Sequence, residues 1–308
     1  MRVDVLIPTY KPGTEFVKLF KLLQTQTVPV HKIIIMNTEE AYWEHLINKN
    51  SEIQQFHNLE VHHISQSEFD HGGTRHDGIM YSEADVCVCM TQDAIPADEH
   101  LIEMLVRPLE NKKVAVSYAR QMPKLDAGPL EQFSRAFNYP EESREKTSAD
   151  IETMGIKAFF CSDVCAAYNR ETYLKLGGFI RRTIFNEDMI FASGALKAGY
   201  HVYYAADAKV LHSHEYGFMQ QLRRNFDLGV SQADHPEVFA GISSEKEGKK
   251  MIVGACKHFI KIRKPFEIIH LVWQSGAKYM GYFLGKHYQS LPKFVVSRIT
   301  MNYAYWNK

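Results

Sequence analysis

Short apolar runs alternate with stretches of helical spacing through the N-terminal part of the chain. Val3 to Ile7 reads as a strand, and Glu15 to Leu23 places Phe16, Leu19, Phe20 and Leu23 on one helical side. Lys32 to Met36 predicts a second strand and the region from Tyr42 to Asn48 a helix. A third strand is expected near Glu60 to Ile64 and a helix over Thr74 to Glu83. A fourth strand then covers Val86 to Met90, a helix Leu101 to Leu109, and a fifth strand Val114 to Tyr118. This rhythm predicts an α/β fold: a Rossmann-like, mostly parallel sheet flanked by helices on both faces.

The pattern then changes. Asp126 to Asp150 is polar, with turn residues and mixed charge, and reads as a surface excursion, a candidate mobile loop. Structure resumes at Lys157 to Cys161. A helix over Arg170 to Leu176 is stopped by Gly177-Gly178, and one over Glu187 to Lys197 by Gly199. Val202 to Ala205 and Lys209 to Leu211 read as two short strands. From Tyr216 onward the spacing is helical. The expected division is an α/β unit over 1–230 and a helical C-terminal extension over 231–308.

Lys249 to Arg298 carries ten cations, among them Lys257, Lys261, Arg263, Lys264, Lys278, Lys286 and Lys293, against one acid, Glu267. Trp273, Tyr279, Tyr282 and Phe283 are interleaved with them. Two readings stand: a peripheral contact with an anionic membrane, or aromatic residues packed in a core or homodimer interface.

The 308 residues carry a formal net charge of +0 and 45% hydrophobic side chains, so a large core is affordable and nucleic acid is not an expected partner. Cys87 and Cys89 share a face of a buried strand, and Cys161 and Cys165 lack a second zinc-ligand pair. That usage suits a reducing cytoplasm. No signal peptide and no membrane-spanning run are read, so cytoplasmic location is expected, at most peripheral at the inner face of the plasma membrane.

The exit of the first strand, Pro8-Thr9-Tyr10-Lys11-Pro12-Gly13, has neither a GxGxxG turn nor a phosphate loop. Asp93 ends the fourth strand, where an open α/β sheet binds ligand, and a carboxylate there can hold a divalent cation; helix capping is the plainer role. Gly72-Gly73-Thr74-Arg75 opens a helix whose N–H groups and cation favour an anion, or else forms a turn with a surface arginine. Glu187-Asp188 stands at a helix start, and two adjacent acids cannot both cap it. His212 and His214 alternate onto one side of a strand end. Gln220, Arg223 and Arg224 follow on a helix.

These segments resemble family 2 glycosyltransferases, which have the GT-A fold. IPTYKPG is similar to the family's opening; FDHGGTR, TQDAIP, FNEDMIFASGALKAGY and LHSHEYGFMQQLRRNFDLGV are similar to its rhamnosyltransferase branch. The resemblance spans Val3 to Val230. It implies an inverting transferase using a nucleotide sugar, by the branch dTDP-L-rhamnose, with Mg²⁺ or Mn²⁺, and a saccharide or lipid-linked saccharide as acceptor. It places nucleotide-sugar binding in about 1–120 and the acceptor and base region in about 121–230. Pro8, Thr9 and Tyr10 would meet the base and ribose, with Asn37, Thr38 and Glu39 at the position where many members carry an aspartate. Asp70, Gly73, Arg75 and Gln92 would line the donor pocket. Asp93 would touch the metal, with His214 favoured and His212 second as further ligands. Asp188 would be the catalytic base, oriented by Glu187, and Arg223 or Arg224 would neutralise the leaving diphosphate. The competing readings are transfer of another sugar from a UDP-hexose and a non-catalytic GT-A scaffold.

Overall fold

The computed structural model describes residues 1–241 and 245–307. Its strands are β1 (Val3–Tyr10), β2 (Lys32–Thr38), β3 (Leu59–Ile64), β4 (Val86–Met90), β5 (Ile95–Pro96), β6 (Val114–Met122), β7 (Arg144–Lys146), β8 (Cys165–Asn169) and β9 (His201–Leu211). They form one sheet in the order β3-β2-β1-β4-β8-β6-β9-β5, with β7 added along β9. The helices of the α/β part are α1 (Thr14–Gln24), α2 (Glu40–Lys49), α3 (His71–Met80), α4 (Leu101–Val106), α5 (Pro129–Asn138), α6 (Asp150–Met154), α7 (Ile156–Phe159), α8 (Arg170–Lys175) and α9 (Glu187–Lys197). The C-terminal part holds α10 (Phe218–Asp234), α11 (Pro236–Phe239), α12 (Glu245–Lys261), α13 (Phe266–Lys286), α14 (Lys293–Ile299) and α15 (Tyr303–Trp306).

The N-terminal half of the sheet is parallel as expected, β1 lying between β2 and β4 with β3 outside β2. Beyond β4 the sheet is mixed: β8 runs antiparallel to both β4 and β6, and β9 returns parallel to β6. Alternation along β1 sends Val3, Val5 and Ile7 to one core, where Phe16, Leu19, Phe20 and Leu23 of α1 cover them. Leu6 faces the opposite core, with Ile79, Cys87, Cys89 and Tyr168. Both sides of the central strands are therefore dry, which is why they read as unbroken apolar runs. The four cysteines of the strands and the following turn, Cys87, Cys89, Cys161 and Cys165, are free and buried.

Two expectations need correction, and one strand was not foreseen. The stretch expected as a loop over Asp126 to Asp150 contains α5 and β7, and β7 pairs with β9. The two short strands expected after Tyr200 are one strand, β9, whose register slips between Ala119 and Arg120 of its partner β6; the alanine-rich Ala205–Lys209 stretch is that irregularity rather than a turn. β8, rich in alanine, gave no strand signal, yet all five of its residues are buried.

Residue 230 lies inside α10, so the expected boundary between catalytic unit and extension falls within a continuous helix. α10 and α13 approach very closely. A Cβ on Gly281 would stand 2.1 Å from the Leu222 carbonyl oxygen, and one on Gly285 2.1 Å from that of Phe226. Glycine is what allows the two backbones to meet there. Among the described residues no helix is long and apolar enough to cross a membrane.

Candidate active site

The carboxyl ends of β1, β4, β6 and β9 share one rim. β4 delivers Thr91-Gln92-Asp93. The Gln92 side chain grips the end of β1 from both sides, its Oε1 accepting from the Tyr10 N–H and its Nε2 donating to the Tyr10 carbonyl, each at 3.0 Å. Tyr10 meets the edge of Tyr42, and Lys11 lies over both rings. Thr9 is buried and donates to Asn37 Oδ1; Asn37 Nδ2 reaches the Glu39 carbonyl and His63. Thr38 is buried with its hydroxyl unpartnered, and Glu39, at φ 67°, accepts from the Gln66 N–H. Pro8 to Tyr10 and Asn37 to Glu39 thus close one end of the rim together.

β9 delivers the histidines. His214 Nε2 lies 3.0 Å and His212 Nε2 3.5 Å from the same Asp93 oxygen. Burial opposes ionisation of Asp93, but the two imidazoles outweigh it and hold the carboxyl far below the usual range. Burial also depresses His212, favouring the neutral ring. Its Nδ1 lies 3.1 Å from Gln121 Oε1, an oxygen that already accepts from Arg135, and Gln121 Nε2 donates to Ser162 Oγ at 2.9 Å. Because Oε1 is an acceptor, it can hold the proton on Nδ1 once a cation takes the place of the Nε2–Asp93 contact, and that is the tautomer a metal ligand needs.

The ligating atoms of Asp93, His212 and His214 all lie within 4.8 Å of one another. Ligands about 2.0–2.2 Å from one cation stand roughly 3 Å apart, so this cluster fits a divalent ion. Gln121 and Arg135 carry no motif, and sequence reasoning missed them; only the fold brings them behind His212.

Asp188 and Glu187 open α9. Their N-cap, Asn186, sits at φ 67° and is tied to Ser231 of α10, whose hydroxyl donates to the Phe185 carbonyl. The Asp188 carboxylate accepts from the Asp163 N–H at 3.1 Å and from the Met189 N–H at 2.7 Å. Burial, then the charges of Asp163 and Glu187, raise its proton affinity well above that of an ordinary aspartate. Asp163 is itself buried, raised by burial, and accepts from the Tyr168 hydroxyl at 2.6 Å. Ser162 and Asp163 are neighbours, so one turn joins the histidine side of the rim, through Gln121, to the Asp188 side.

Arg75 takes a different place from the one expected of it. It is 7% exposed, its Nη1 3.0 Å from Glu187 and its Nε 3.4 Å from Asp163. Burial works against its charge, but those carboxylates outweigh it. Its charge is thus spent on holding the acid cluster, and Glu187 is correspondingly an ion-pair partner. Asp70 caps α3, accepting from Gly73 N at 2.7 Å and from Arg182 N at 3.0 Å, so the helix start expected to offer free N–H groups is already occupied at Gly73.

The two arginines of α10 part company. Arg223 donates to the Arg298 carbonyl, toward the C-terminus. Arg224 lies 4.8 Å from the Phe185 ring and 5.8 Å from that of Tyr216, which stacks on His214. It therefore stands between the two halves of the rim. From α13, Gln274 donates to the Tyr216 carbonyl, and the half-buried Lys278 sits where desolvation lowers its pKa, with Glu131, Arg224 and Arg135 as its charged neighbours. Lys278 was expected on an outward basic face; the structure turns it inward.

A carboxylate–imidazole cluster at the strand ends of a mixed α/β sheet, with a carboxyl of raised proton affinity at a helix start and helix-borne cations beside it, has the layout of a glycosyltransferase of GT-A architecture. The solved structures agree on the fold. A mannosyltransferase from Pyrobaculum calidifontis, in complex with GDP-Man and Mn²⁺, superposes with a TM-score of 0.58 at 12% identity, covering 100% of this chain and 86% of that one. A fragment of S. aureus TarS in complex with UDP-GlcNAc gives 0.56 at 14% identity, covering 99% and 90%. The chain belongs to glycosyl transferase family 2, whose model matches residues 4–177. It is 36% identical over 311 residues to the O-antigen chain rhamnosyltransferase RfbN of Salmonella typhimurium, covering 100% of this chain and 96% of that protein. It is also 36% identical over 308 residues to the O-antigen chain rhamnosyltransferase WbaN of Salmonella anatum, covering 98% and 95%.

Proposed function

We propose that the protein transfers L-rhamnose, with inversion, from dTDP-L-rhamnose to a growing, lipid-linked surface polysaccharide at the inner face of the plasma membrane. One observation carries the transfer: the Asp163 turn links a base of raised proton affinity, Asp188, to the Asp93–His212–His214 cluster. The sugar and the acceptor rest on the names of the two Salmonella relatives, similar over nearly the full length of both.

Asp188 takes the proton of an acceptor hydroxyl as that oxygen bonds to the anomeric carbon; the bond from that carbon to the diphosphate oxygen breaks, and the electron pair leaves with dTDP. A single displacement inverts the centre and needs no enzyme nucleophile. Arg75 and Glu187 hold Asp188 in place through the acid cluster. Arg224 and Lys278 meet the negative charge that develops on the leaving group. Pro8 to Tyr10 and Asn37 to Glu39 bind the base and ribose. Asp93, His212 and His214 would hold a divalent cation, which when bound supplies further charge to the diphosphate; two imidazoles beside one carboxylate suit Mn²⁺ better than Mg²⁺. The retained base and cluster argue against a non-catalytic scaffold.

The test is nucleoside-diphosphate release with dTDP-L-rhamnose, UDP-glucose, UDP-galactose and UDP-N-acetylglucosamine, each with Mn²⁺, Mg²⁺ or a chelator. Acceptor-dependent release from dTDP-L-rhamnose alone, abolished by the chelator and strongest with Mn²⁺, is the expected result. Turnover of a UDP-hexose in its place reassigns the donor, and silence with every donor favours the scaffold.

A further inference from the structure

α13 has two apolar sides. The inner one, Leu271, Gln274, Ala277, Gly281 and Gly285, is buried. The opposite one carries Phe266, Ile269, Val272, Trp273, Tyr279, Met280 and Phe283, which fall on one helical side with Gly276 between the two groups. These side chains are exposed, from 47% at Met280 to 83% at Phe266. Water-soluble surfaces scatter such residues singly; a continuous stripe on one helix marks a contact. Val253 and Ile260 of α12 are exposed as well.

Charge identifies the occupant. The end of α12 and the turn into α13 bear the exposed Lys261, Arg263 and Lys264, and the far end of α13 the exposed Lys286, with Lys293 and Arg298 exposed on α14. The sole acid from Lys249 onward is Glu267, which is half-buried and faces His270 at 3.8 Å. A second copy fits poorly. A two-fold contact along this stripe sets cations against cations whether the helices run parallel or antiparallel. An anionic lipid surface meets both features, taking the apolar side chains among its acyl chains and the cations at its headgroups. Lying in the interface needs no crossing helix, and none is present among the described residues.

We propose that the outer face of α13, with the cations at its two ends, seats the protein on an anionic bilayer. The proposal uses the transferase reading only for its purpose, since a lipid-linked acceptor is reached from such a seat. The experiment compares the protein with Ile269→Glu/Val272→Glu and with Lys261→Gln/Arg263→Gln/Lys264→Gln. Both sets replace exposed side chains, and thermal melts check that each variant stays folded. Co-sedimentation with vesicles of phosphatidylcholine alone and of phosphatidylcholine with phosphatidylglycerol is measured at low and high salt, and tryptophan emission is followed, Trp273 being the exposed one of the three rings.

Expected are binding to the anionic vesicles, a blue shift, and loss of binding at high salt. Each variant set should lower partition about tenfold or more. Turnover on a lipid-free acceptor saccharide stays unchanged, which separates this proposal from the transferase reading. Binding by the glutamate variant equal to that of the parent overturns the proposal. So does a dimer in solution that the same variant dissociates while vesicles are ignored.

Discussion

The half-buried Asp188 lies against a buried acid, Asp163, and next to another, Glu187 in its ion pair with Arg75. Asp188→Asn keeps the shape and removes the proton acceptor, so turnover should fall at least ~100-fold while donor affinity, by titration, stays nearly unchanged. Near-normal turnover removes Asp188 from the mechanism. The active form of the base is ionised and its proton affinity is raised, so the rate should climb as pH rises through that raised value. Asp163→Asn removes a neighbouring negative charge while keeping the backbone N–H that Asp188 accepts from. The climb should then move to lower pH with the plateau retained, and a pH–rate profile showing no shift, or one to higher pH, contradicts the coupling. Asp93, His212 and His214 could be placed because each follows a strand with a clear pattern, and Asp188 because its segment resembles the family's acid pair. Asp163, Gln121 and Arg135 were not, because what marks them is who lies opposite, which no local spacing encodes.

Among elements, the closest fit is between α10 and α13. Gly281→Val would drive a side chain into the Leu222 carbonyl, a rigid backbone group, and should cost more than about 2 kcal/mol. Gly276→Ala on the same helix meets open space and should be neutral or stabilising by up to about 1 kcal/mol. Thermal melts of the two variants decide it: equal melting temperatures would mean the crossing is looser than drawn. The same scale explains the misread stretch over Asp126 to Asp150. The apolar side of α5, Leu130 and Phe133, packs with Ala255, Phe259 and Leu271 of α12 and α13, which the chain supplies much later. Read locally, those side chains had no core to join, and the polar residues around them looked like a loop. β8 failed for the opposite reason. Cys165-Ala166-Ala167-Tyr168-Asn169 has little strand propensity of its own and is a strand because β4 and β6 pair with it from both sides.

For the molecule as a whole, the alternating N-terminal pattern foretold the parallel half of the sheet, its two cores and the rim where ligand chemistry gathers. The antiparallel return through β8 and the role of the C-terminal helices were hidden, since both depend on contacts between distant parts of the chain. A division at residue 230 suits the motif content but cuts a helix. α13 spans 21 residues, a rod about 30 Å long. One flank carries the exposed stripe; the other holds Gln274 against the Tyr216 carbonyl, beneath the ring that stacks on His214, and sends Lys278 in beside Arg224. A stiff rod cannot tilt on one flank and stay still on the other. Pressure on its outside is therefore felt as leverage within the catalytic cleft, making the helix both a keel and a tiller.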